Sequence, residues 1–234
     1  MGEDGEDKWS NLPNVKVVSI IGNTGEGKSY ALNRTFFARE DDHDNSSFQE
    51  VFSTSPAPES CTMGVWAAYE PLLKLIILDT EGMLGNAGTF HDRQDNGSGL
   101  ALNENNRTRQ LLKVLALSDV VIYKSRAERL HTDLFYFLGD ASKAYNEHFS
   151  AELQKVKCDH GTNSMSMGPA IIIFHETRFT DVLNECKNGQ VRNAETTIRD
   201  RLTSLNQDIS AFSKIRYFGA VSYTHLTLPT NREV

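Results

Sequence analysis

Residues Gly22–Ser29 read Gly-Asn-Thr-Gly-Glu-Gly-Lys-Ser, a complete match to the phosphate-binding pattern G-x-x-x-x-G-K-[ST]. The apolar run Val15–Ile21 precedes this stretch and a segment of helical character follows it, which predicts a strand, a glycine-rich loop and a helix. In that arrangement the backbone N–H groups of the loop and the helix N-terminus converge on a bound anion. The stretch therefore predicts a site for the phosphates of a nucleotide.

The residue types of this loop suit a triphosphate. Lys28 is expected to place its ammonium against the β- and γ-phosphates, and the Ser29 hydroxyl to ligate the Mg²⁺ that bridges them. The alternative is a glycine-rich turn without a ligand, but an unpaired lysine at a helix N-terminus opposes the helix dipole. The nucleotide-binding residues predicted from the loop are Gly22, Asn23, Thr24, Gly25, Glu26, Gly27, Lys28 and Ser29.

A second motif supports the first. The apolar run Leu75–Leu78 leads directly into Asp-Thr-Glu-Gly, which has the D-x-x-G spacing. Asp79 is predicted to hold Mg²⁺ through water, and the N–H of Gly82 to meet the γ-phosphate, so that the loop after it senses hydrolysis. An aspartate that ends a strand is usually turn chemistry. The phosphate-binding loop upstream favours the functional interpretation here.

The segment Ser60–Trp66 lies between the two motifs and supplies a candidate switch threonine. Thr62 is predicted to ligate Mg²⁺ and to touch the γ-phosphate when its loop is ordered. Thr54 is the competing candidate, and a strand-capping threonine is the alternative role. Trp66 and Tyr69 are expected to pack against the sheet or to edge it, without a chemical role.

The residue after D-x-x-G bears on hydrolysis. A Ras-like enzyme orients the attacking water with the residue at this position, but here it is Met83, which cannot hydrogen-bond a water. Hydrolysis is therefore expected to be slow, with Glu81, Thr62 or a partner protein in the missing role. The residues predicted to act in catalysis are Lys28, Thr62 and Glu81, and the predicted metal ligands are Ser29, Thr62 and Asp79.

Short runs rich in Val and Ile alternate along the chain with stretches of helical period, the pattern of an α/β domain. The short link at Pro71 predicts a hairpin and hence one antiparallel edge. We therefore predict a P-loop fold with a mainly parallel central sheet, one antiparallel edge strand and helices on both faces. The predicted strands are Val15–Ile21, Gly64–Tyr69, Leu75–Leu78, Val120–Tyr123 and Ala170–Phe174. The predicted helices are Lys28–Ala38, Glu104–Leu117, one from Arg126 onward and one that carries Ile198, Leu202, Leu205 and Ile209.

The domain prediction has three parts. Residues 1–14 are an acidic flexible N-terminus, residues 15–220 are the P-loop domain, and residues 221–234 are a tail of non-native character. The tail, VSYTHLTLPTNREV, resembles translated sequencing adapter, and the alternative is an ordinary polar strand and tail. On the first interpretation the native sequence stops near Ala220, and the chain is a fragment of a longer protein.

Composition excludes several classes of function. The 234 residues carry a net charge of −7, which disfavours nonspecific nucleic-acid binding and adhesion to anionic membranes. The apolar runs fall far short of the roughly 20 residues of a membrane helix, and the acidic N-terminus does not have the layout of a signal peptide. We therefore expect a cytoplasmic protein that does not insert into a membrane. Its three cysteines fit reduced thiols better than a disulfide framework or a zinc site.

The motifs GNTGEGKS, SCTMGVW and LDTEG together resemble the large-GTPase superfamily of the guanylate-binding proteins and atlastins. The run Arg107–Ala144, with ESCTMGVWAAYEP and GPAIIIFHET, is similar to the N-terminal P-loop domain of the double FYVE-domain proteins. In full-length relatives, FYVE fingers absent from this sequence bind phosphatidylinositol 3-phosphate. The resemblance implies peripheral association of those relatives with endoplasmic reticulum, autophagosome precursor membranes or lipid droplets. The resemblance to the large GTPases implies a nucleotide-dependent homodimer.

Two further departures from the superfamily concern mechanism and base choice. Gly25 stands where the guanylate-binding family has an arginine finger, and Arg107 and Arg109 are candidate replacements. No aspartate stands at the step after Ala170–Phe174 where guanine is usually read, since the sequence there is His-Glu-Thr-Arg-Phe-Thr, and Asp181 is a distant substitute. We therefore expect ATP to be favoured over GTP.

Three functions compete. The first is a slow Mg²⁺-dependent NTPase whose switch loops order with nucleotide and release on hydrolysis. The second is a nucleotide-bound scaffold that does not turn over, favoured by Met83 and by the missing arginine finger. The third is a small-molecule phosphotransferase, which needs an Arg-rich lid that the sequence does not offer. The first is our prediction from the sequence.

Overall fold

The structure is a computed structural model, and it describes most of the chain between residues 15 and 221. The described residues are 15–38, 50–54, 62, 64–82, 109, 111–159, 168–177, 183, 186–187, 190–191 and 193–221. Several predictions fall outside them: the N-terminus 1–14, Met83, Arg107, Asp181 and the tail from residue 222.

Eight strands are described. They are β1 (Lys16–Gly22), β2 (Val65–Glu70), β3 (Leu75–Thr80), β4 (Val120–Arg126), β5 (Ala170–Thr177), β6 (Cys186–Lys187), β7 (Gln190–Val191) and β8 (Lys214–Val221). Six of them form one sheet in the order β2-β3-β1-β4-β5-β8, and β6 pairs with β7. The pairs β1–β3 and β5–β8 are parallel, whereas β2–β3 is antiparallel. The predicted mainly parallel sheet with one antiparallel edge strand is confirmed.

The helices lie in the gaps between strands. They are α1 (Lys28–Leu32), α2 (residues 111–117), α3 (Thr132–His148), α4 (Ser150–Asp159) and α5 (Ala194–Ser204), and a π-helical turn, Asn33–Phe37, continues α1. Within the described residues, no helix is both long and apolar enough to cross a membrane.

Several predicted boundaries are wrong. The predicted helix Lys28–Ala38 is α-helical only to Leu32 and then widens into the π turn. The helix predicted from Arg126 begins at Thr132, because β4 continues through Arg126 as a hydrogen-bonded neighbour of β5. Lys124 and Arg126 both pair with Glu176 on β5. The last predicted helix ends before Leu205 and Ile209. α4 and β8 were not predicted from the sequence.

The chain divides within β4, between Ile122 and Tyr123, into two compact units. In the first unit the apolar core joins β1, α1 and β3 to the segment 50–54 through Val18, Leu32, Phe52 and Ile77. Asn33 holds that segment: its Nδ2 donates to the Phe52 carbonyl (2.8 Å), and its Oδ1 accepts from the Phe52 N–H (3.0 Å). These paired bonds mimic a strand pairing and satisfy buried polar groups on both partners. The chain is thereby fixed shortly before it reaches Thr62.

In the second unit many of the buried apolar side chains come from α3, β5 and α5, and Tyr123 on β4 and Ile215 on β8 are buried as well. Those of α3, β5 and α5 include Leu134, Leu138, Tyr145, Ile171, Ile173, Ile198 and Leu202. α5 packs on both α3 and β8. Its N-cap is Asn193, whose side chain accepts a hydrogen bond from the Glu195 N–H at 3.0 Å.

Candidate nucleotide-binding site

The phosphate-binding loop joins β1 to α1 in the order that the sequence predicts. β1 ends at Gly22 and α1 begins at Lys28. Gly25 and Gly27 adopt φ values of 81° and 72°, a left-handed conformation that glycine enters without steric cost. Gly27 caps α1 without any side-chain hydrogen bond, so the first N–H groups of the helix have no capping side chain. The loop is shaped to surround an anion.

Lys28 is buried beneath this loop. Its Nζ donates to the Asn23 carbonyl at 3.0 Å. Burial lowers the pKa of the Lys28 ammonium, and the nearby carboxylates, Asp79 first, only partly oppose that shift. A phosphate beside this ammonium would offset the cost of burying its charge.

Three oxygen-bearing side chains meet beside Lys28. The Ser29 hydroxyl donates to Asp79 Oδ2 at 2.6 Å, and the Thr62 hydroxyl donates to the same oxygen at 3.1 Å. The two hydroxyl oxygens are 3.3 Å apart. The three predicted metal ligands, which are up to 50 residues apart in sequence, are therefore brought together.

This cluster suits a hard cation. Asp79 Oδ1 is buried and has no hydrogen-bond partner among the described residues. Burial raises the pKa of the Asp79 carboxyl, although hydrogen bonds from Ser29 and Thr62 act in the opposite direction. Mg²⁺ prefers carboxylate, hydroxyl and water oxygens and would satisfy the orphaned atom. The residues present fit the ion.

The structure separates the two candidate switch threonines. The Thr54 hydroxyl donates to Glu50 Oε1 at 2.6 Å, a contact within its own segment. Thr62, in contrast, contacts both Ser29 and Asp79. The geometry therefore favours Thr62.

Gly82 lies directly against the phosphate-binding loop. A Cβ added to it would lie 2.1 Å from Thr24 Oγ1 and 2.6 Å from the Thr24 backbone N. No such approach is open to any other residue type. Gly82 is thus needed for the close packing of the D-x-x-G segment on the loop, and Thr24 Oγ1 is itself buried with no partner among the described residues.

Glu81 and Glu26 hold backbone groups beside the site. The Glu81 side chain accepts a hydrogen bond from the Gly64 N–H at 3.2 Å, while its own N–H donates to the Gly64 carbonyl at 2.8 Å. Glu26 Oε2 accepts from the Asn23 N–H at 2.9 Å. Neither contact is predictable from the motif, because the motif specifies residue types and not which backbone amide each carboxylate contacts.

The end of β5 is the position where a GTPase usually has the aspartate that reads guanine, and here its side chains contact other residues of the second unit. His175 Nε2 lies 2.6 Å from the Ala127 carbonyl, which can only accept, so Nε2 carries the proton and Nδ1 accepts from the Tyr217 hydroxyl at 2.9 Å. Glu176 pairs with the buried Lys124 at 2.9 Å. These contacts assign His175 and Glu176 structural partners. Of the two predicted replacement arginines, Arg109 is described, and it is exposed.

The His175 contacts predict a pH dependence of stability. Burial lowers the pKa of His175 below the ordinary value of 6.5, so its stabilising contribution is complete above that value and is lost as the pH falls through the folded-state pKa. We expect wild type to lose more free energy of unfolding between pH 7.5 and pH 5 than a His175→Gln variant loses. Urea denaturation at several pH values measures this difference, and equal slopes for the two proteins would contradict it.

The chain was compared with protein families, curated proteins and solved structures. No protein-family model matches it. The solved structures with a similar chain path include Era from Aquifex aeolicus bound to GDP.AlF4- (14% identity, 88% of this chain and 51% of that one, TM-score 0.37). They also include the SRb-GTP/SRX complex from Chaetomium thermophilum (14% identity, 90% and 92%, TM-score 0.34).

The curated relatives are much more similar in sequence. Zinc finger FYVE domain-containing protein 1 of Mus musculus and that of Homo sapiens are each 47% identical over 211 residues, and that of Pongo abelii is 46% identical. The alignments cover 89% of this chain and 24% of each relative, so the chain spans about a quarter of their length. The predicted resemblance to double FYVE-domain proteins is thus confirmed, and the chain is homologous to part of zinc finger FYVE domain-containing protein 1.

Proposed function

We propose that this chain binds a nucleoside triphosphate with Mg²⁺ through the loop Gly22–Ser29. The observation that carries the proposal is the meeting of Ser29, Thr62 and Asp79, with the unpartnered Asp79 Oδ1, beside the buried Lys28 ammonium. Burial disfavours the charged forms of both Lys28 and Asp79. A bound phosphate would compensate the Lys28 ammonium, and Mg²⁺ would compensate the Asp79 carboxylate. A structural ion pair alone would leave the Asp79 oxygen without a partner.

The same geometry supports slow hydrolysis and a switch. Mg²⁺, when bound, would neutralise charge on the β- and γ-phosphates. Lys28 would hold the phosphates, Thr62 would position the γ-phosphate, and Glu81 would help to orient the attacking water from its place beside Gly64. Loss of the γ-phosphate would free the segments that carry Thr62 and Gly82, the usual basis of a nucleotide-dependent switch.

We further propose ATP as the preferred nucleotide. Support comes from the sequence after Phe174, which has no aspartate at the usual guanine-reading step. The side chains that stand there, His175 and Glu176, are already bound to Ala127, Tyr217 and Lys124. A carboxylate free to accept from guanine is not found among these residues.

Two wider proposals come from the resemblances, the first to the large GTPases and the second to the double FYVE-domain proteins. One is a nucleotide-dependent homodimer, which light scattering with and without a nonhydrolysable nucleotide would detect. The other places the chain in a longer protein that is cytoplasmic and associates peripherally with endoplasmic reticulum, autophagosome precursor membranes or lipid droplets. Fluorescence microscopy of the longer protein, with and without the Lys28→Ala change, would test whether the nucleotide site affects that association.

Phosphate release tests the enzymatic proposal. We expect slow Mg²⁺-dependent release, faster with ATP than with GTP, and a reduction of about tenfold or more in Thr62→Ala because the γ-phosphate and the metal lose a ligand. Thr54→Ala is the matched control, since Thr54 bonds only within its own segment in the described contacts, and we expect wild-type release from it.

The competing outcomes are distinct. If the wild-type chain binds nucleotide but releases phosphate no faster than Lys28→Ala, the enzymatic proposal is wrong and the chain is a scaffold that binds nucleotide without hydrolysing it. That scaffold is the second candidate, which Met83 and Gly25 favour. Faster release with GTP would overturn the proposed ATP preference.

A further inference from the structure

Among the described residues, β2 presents an open sheet edge. It is the terminal strand of the six-stranded sheet, and no described strand lies on the side away from β3. The exposed fractions of Val65, Trp66 and Tyr69 are 42%, 63% and 51%. Proteins normally protect an edge with lysine, proline or a bulge, but Val65–Tyr69 contains no charge and no proline. The next residue, Glu70, is buried and accepts a hydrogen bond from the Leu73 N–H.

The register fixes which backbone groups face this open side. Val65 lies opposite Thr80, so Gly64 lies opposite Glu81, and the hydrogen bond from the Glu81 N–H to the Gly64 carbonyl makes that a hydrogen-bonded pair. Hydrogen-bonded and non-hydrogen-bonded pairs alternate along an antiparallel ladder. Residues 66, 68 and 70 therefore direct their N–H and C=O groups to β3, and residues 65, 67 and 69 direct theirs outward.

We propose that this edge pairs antiparallel with the same edge of a second copy of the chain, about a twofold axis at Ala67. Val65 then lies opposite the partner's Tyr69, and Ala67 opposite the partner's Ala67. The three outward N–H groups on each strand all find carbonyl partners, which gives six backbone hydrogen bonds. A shift of two residues toward the hairpin turn would place Pro71, which has no N–H, opposite Val65, and would bring Trp66 opposite a glutamate.

The side chains suit this register as well. Val65 against tyrosine is a β-branched–aromatic pair, which stabilises antiparallel sheets, and it occurs twice about the axis. No like charges meet in the paired strands, although the chain as a whole carries −7. An unrelated peptide would need its own matching sequence, whereas this strand matches itself. A single strand pair is small beside a standard interface, so the dimer is expected to be weak and concentration-dependent.

Sedimentation velocity of the full chain over a range of concentrations, without nucleotide, tests the proposal. We expect a dimer of the 26.2 kDa chain at high concentration. Ala67→Lys would place two like charges directly opposite each other and raise the dissociation constant by about tenfold or more. Leu72→Lys is the matched control: it adds the same charge at a residue that is 89% exposed in the hairpin turn, outside the paired strands, and should leave the dimer intact.

Two single cysteine variants test the register of the proposed strand pairing. Ala67→Cys should form an intermolecular disulfide under mild oxidation, because the Cα atoms of a hydrogen-bonded pair lie about 5.5 Å apart. Ala68→Cys should not, since residue 68 would face the partner's Trp66. All variants keep the three native cysteines, so wild type gives the background.

Several results would overturn the proposal. They are a wild-type monomer at every concentration, an Ala67→Lys dimer as tight as wild type, or stronger cross-linking at residue 68 than at residue 67. The proposal does not rest on nucleotide binding: the edge dimer should persist in Lys28→Ala, whereas a dimer formed across the nucleotide site should not. Loss of the dimer in a folded Lys28→Ala variant therefore also counts against the edge.

Discussion

Replacing Lys28 with alanine is expected to remove most of the affinity for a Mg²⁺-nucleotide. The ammonium is buried and lies 3.0 Å from the Asn23 carbonyl, within the loop where we propose that the phosphates bind. Truncating one partner of a buried charge pair costs about 2–5 kcal/mol. Since about 1.4 kcal/mol is a tenfold change, we expect binding to weaken roughly thirtyfold or more. Titration with a fluorescent nucleotide measures this.

Lys16→Ala provides the matched control for this substitution. Lys16 lies on β1 and pairs with Asp119, and its side chain is about half exposed, so its loss should leave nucleotide affinity unchanged.

Because burial lowers the pKa of Lys28, the charged form is disfavoured in the fold, and we expect Lys28→Met to remain as stable as wild type without nucleotide. Equal nucleotide affinity in wild type and a folded Lys28→Ala variant would refute the assigned role.

The second large effect is expected from Gly82→Ala. The new Cβ would meet the Thr24 backbone N at 2.6 Å, which forces the D-x-x-G segment and the phosphate-binding loop apart. Asp79 lies three residues before Gly82, so this displacement disturbs its contacts with Ser29 and Thr62. We expect at least about a tenfold loss of nucleotide affinity and a lower melting temperature, because overpacking typically costs about 1–3 kcal/mol. Calorimetry of the variant with and without Mg²⁺-nucleotide measures both.

Gly64→Ala is a control that distinguishes the steric clash at Gly82 from the backbone strain of placing alanine in a left-handed conformation. Gly64 has φ of 77°, and no atom lies within 4 Å of the position that an alanine Cβ would take there, so alanine suffers only the left-handed backbone. That strain costs about 1–2 kcal/mol. If Gly82→Ala binds nucleotide as tightly as wild type, the close packing of Gly82 on Thr24 is not needed for the site.

Local motifs made much of this site predictable from the sequence. The glycine spacing before Lys28 specifies a loop between a strand and a helix, because only that backbone path lets the glycines turn and the helix begin. The alternation of apolar runs and helical stretches specifies an α/β sheet in the same way. Asp79 and Thr62 were identified by their positions relative to predicted strands, and the structure brings both to Ser29.

Other features depend on contacts that no local pattern records. β4 continues to Arg126 beside β5, a strand far along the chain, and Glu176 of that strand pairs with Lys124. Thr54 and Thr62 are distinguished by their tertiary partners: Glu50 binds Thr54, whereas Ser29 and Asp79 contact Thr62. Nothing in the hydrophobic pattern marks Asn33 as important, yet its side chain forms two hydrogen bonds with the backbone of Phe52. Each of these is a tertiary contact between residues that the sequence places apart.

Isothermal titration calorimetry of the full chain with a nonhydrolysable ATP analogue and Mg²⁺ tests the central claim most directly. The account predicts saturable binding at one site per chain, lost when Mg²⁺ is chelated and lost in Lys28→Ala. Absence of saturable binding to the folded wild-type chain, with ATP and GTP analogues alike, would contradict it.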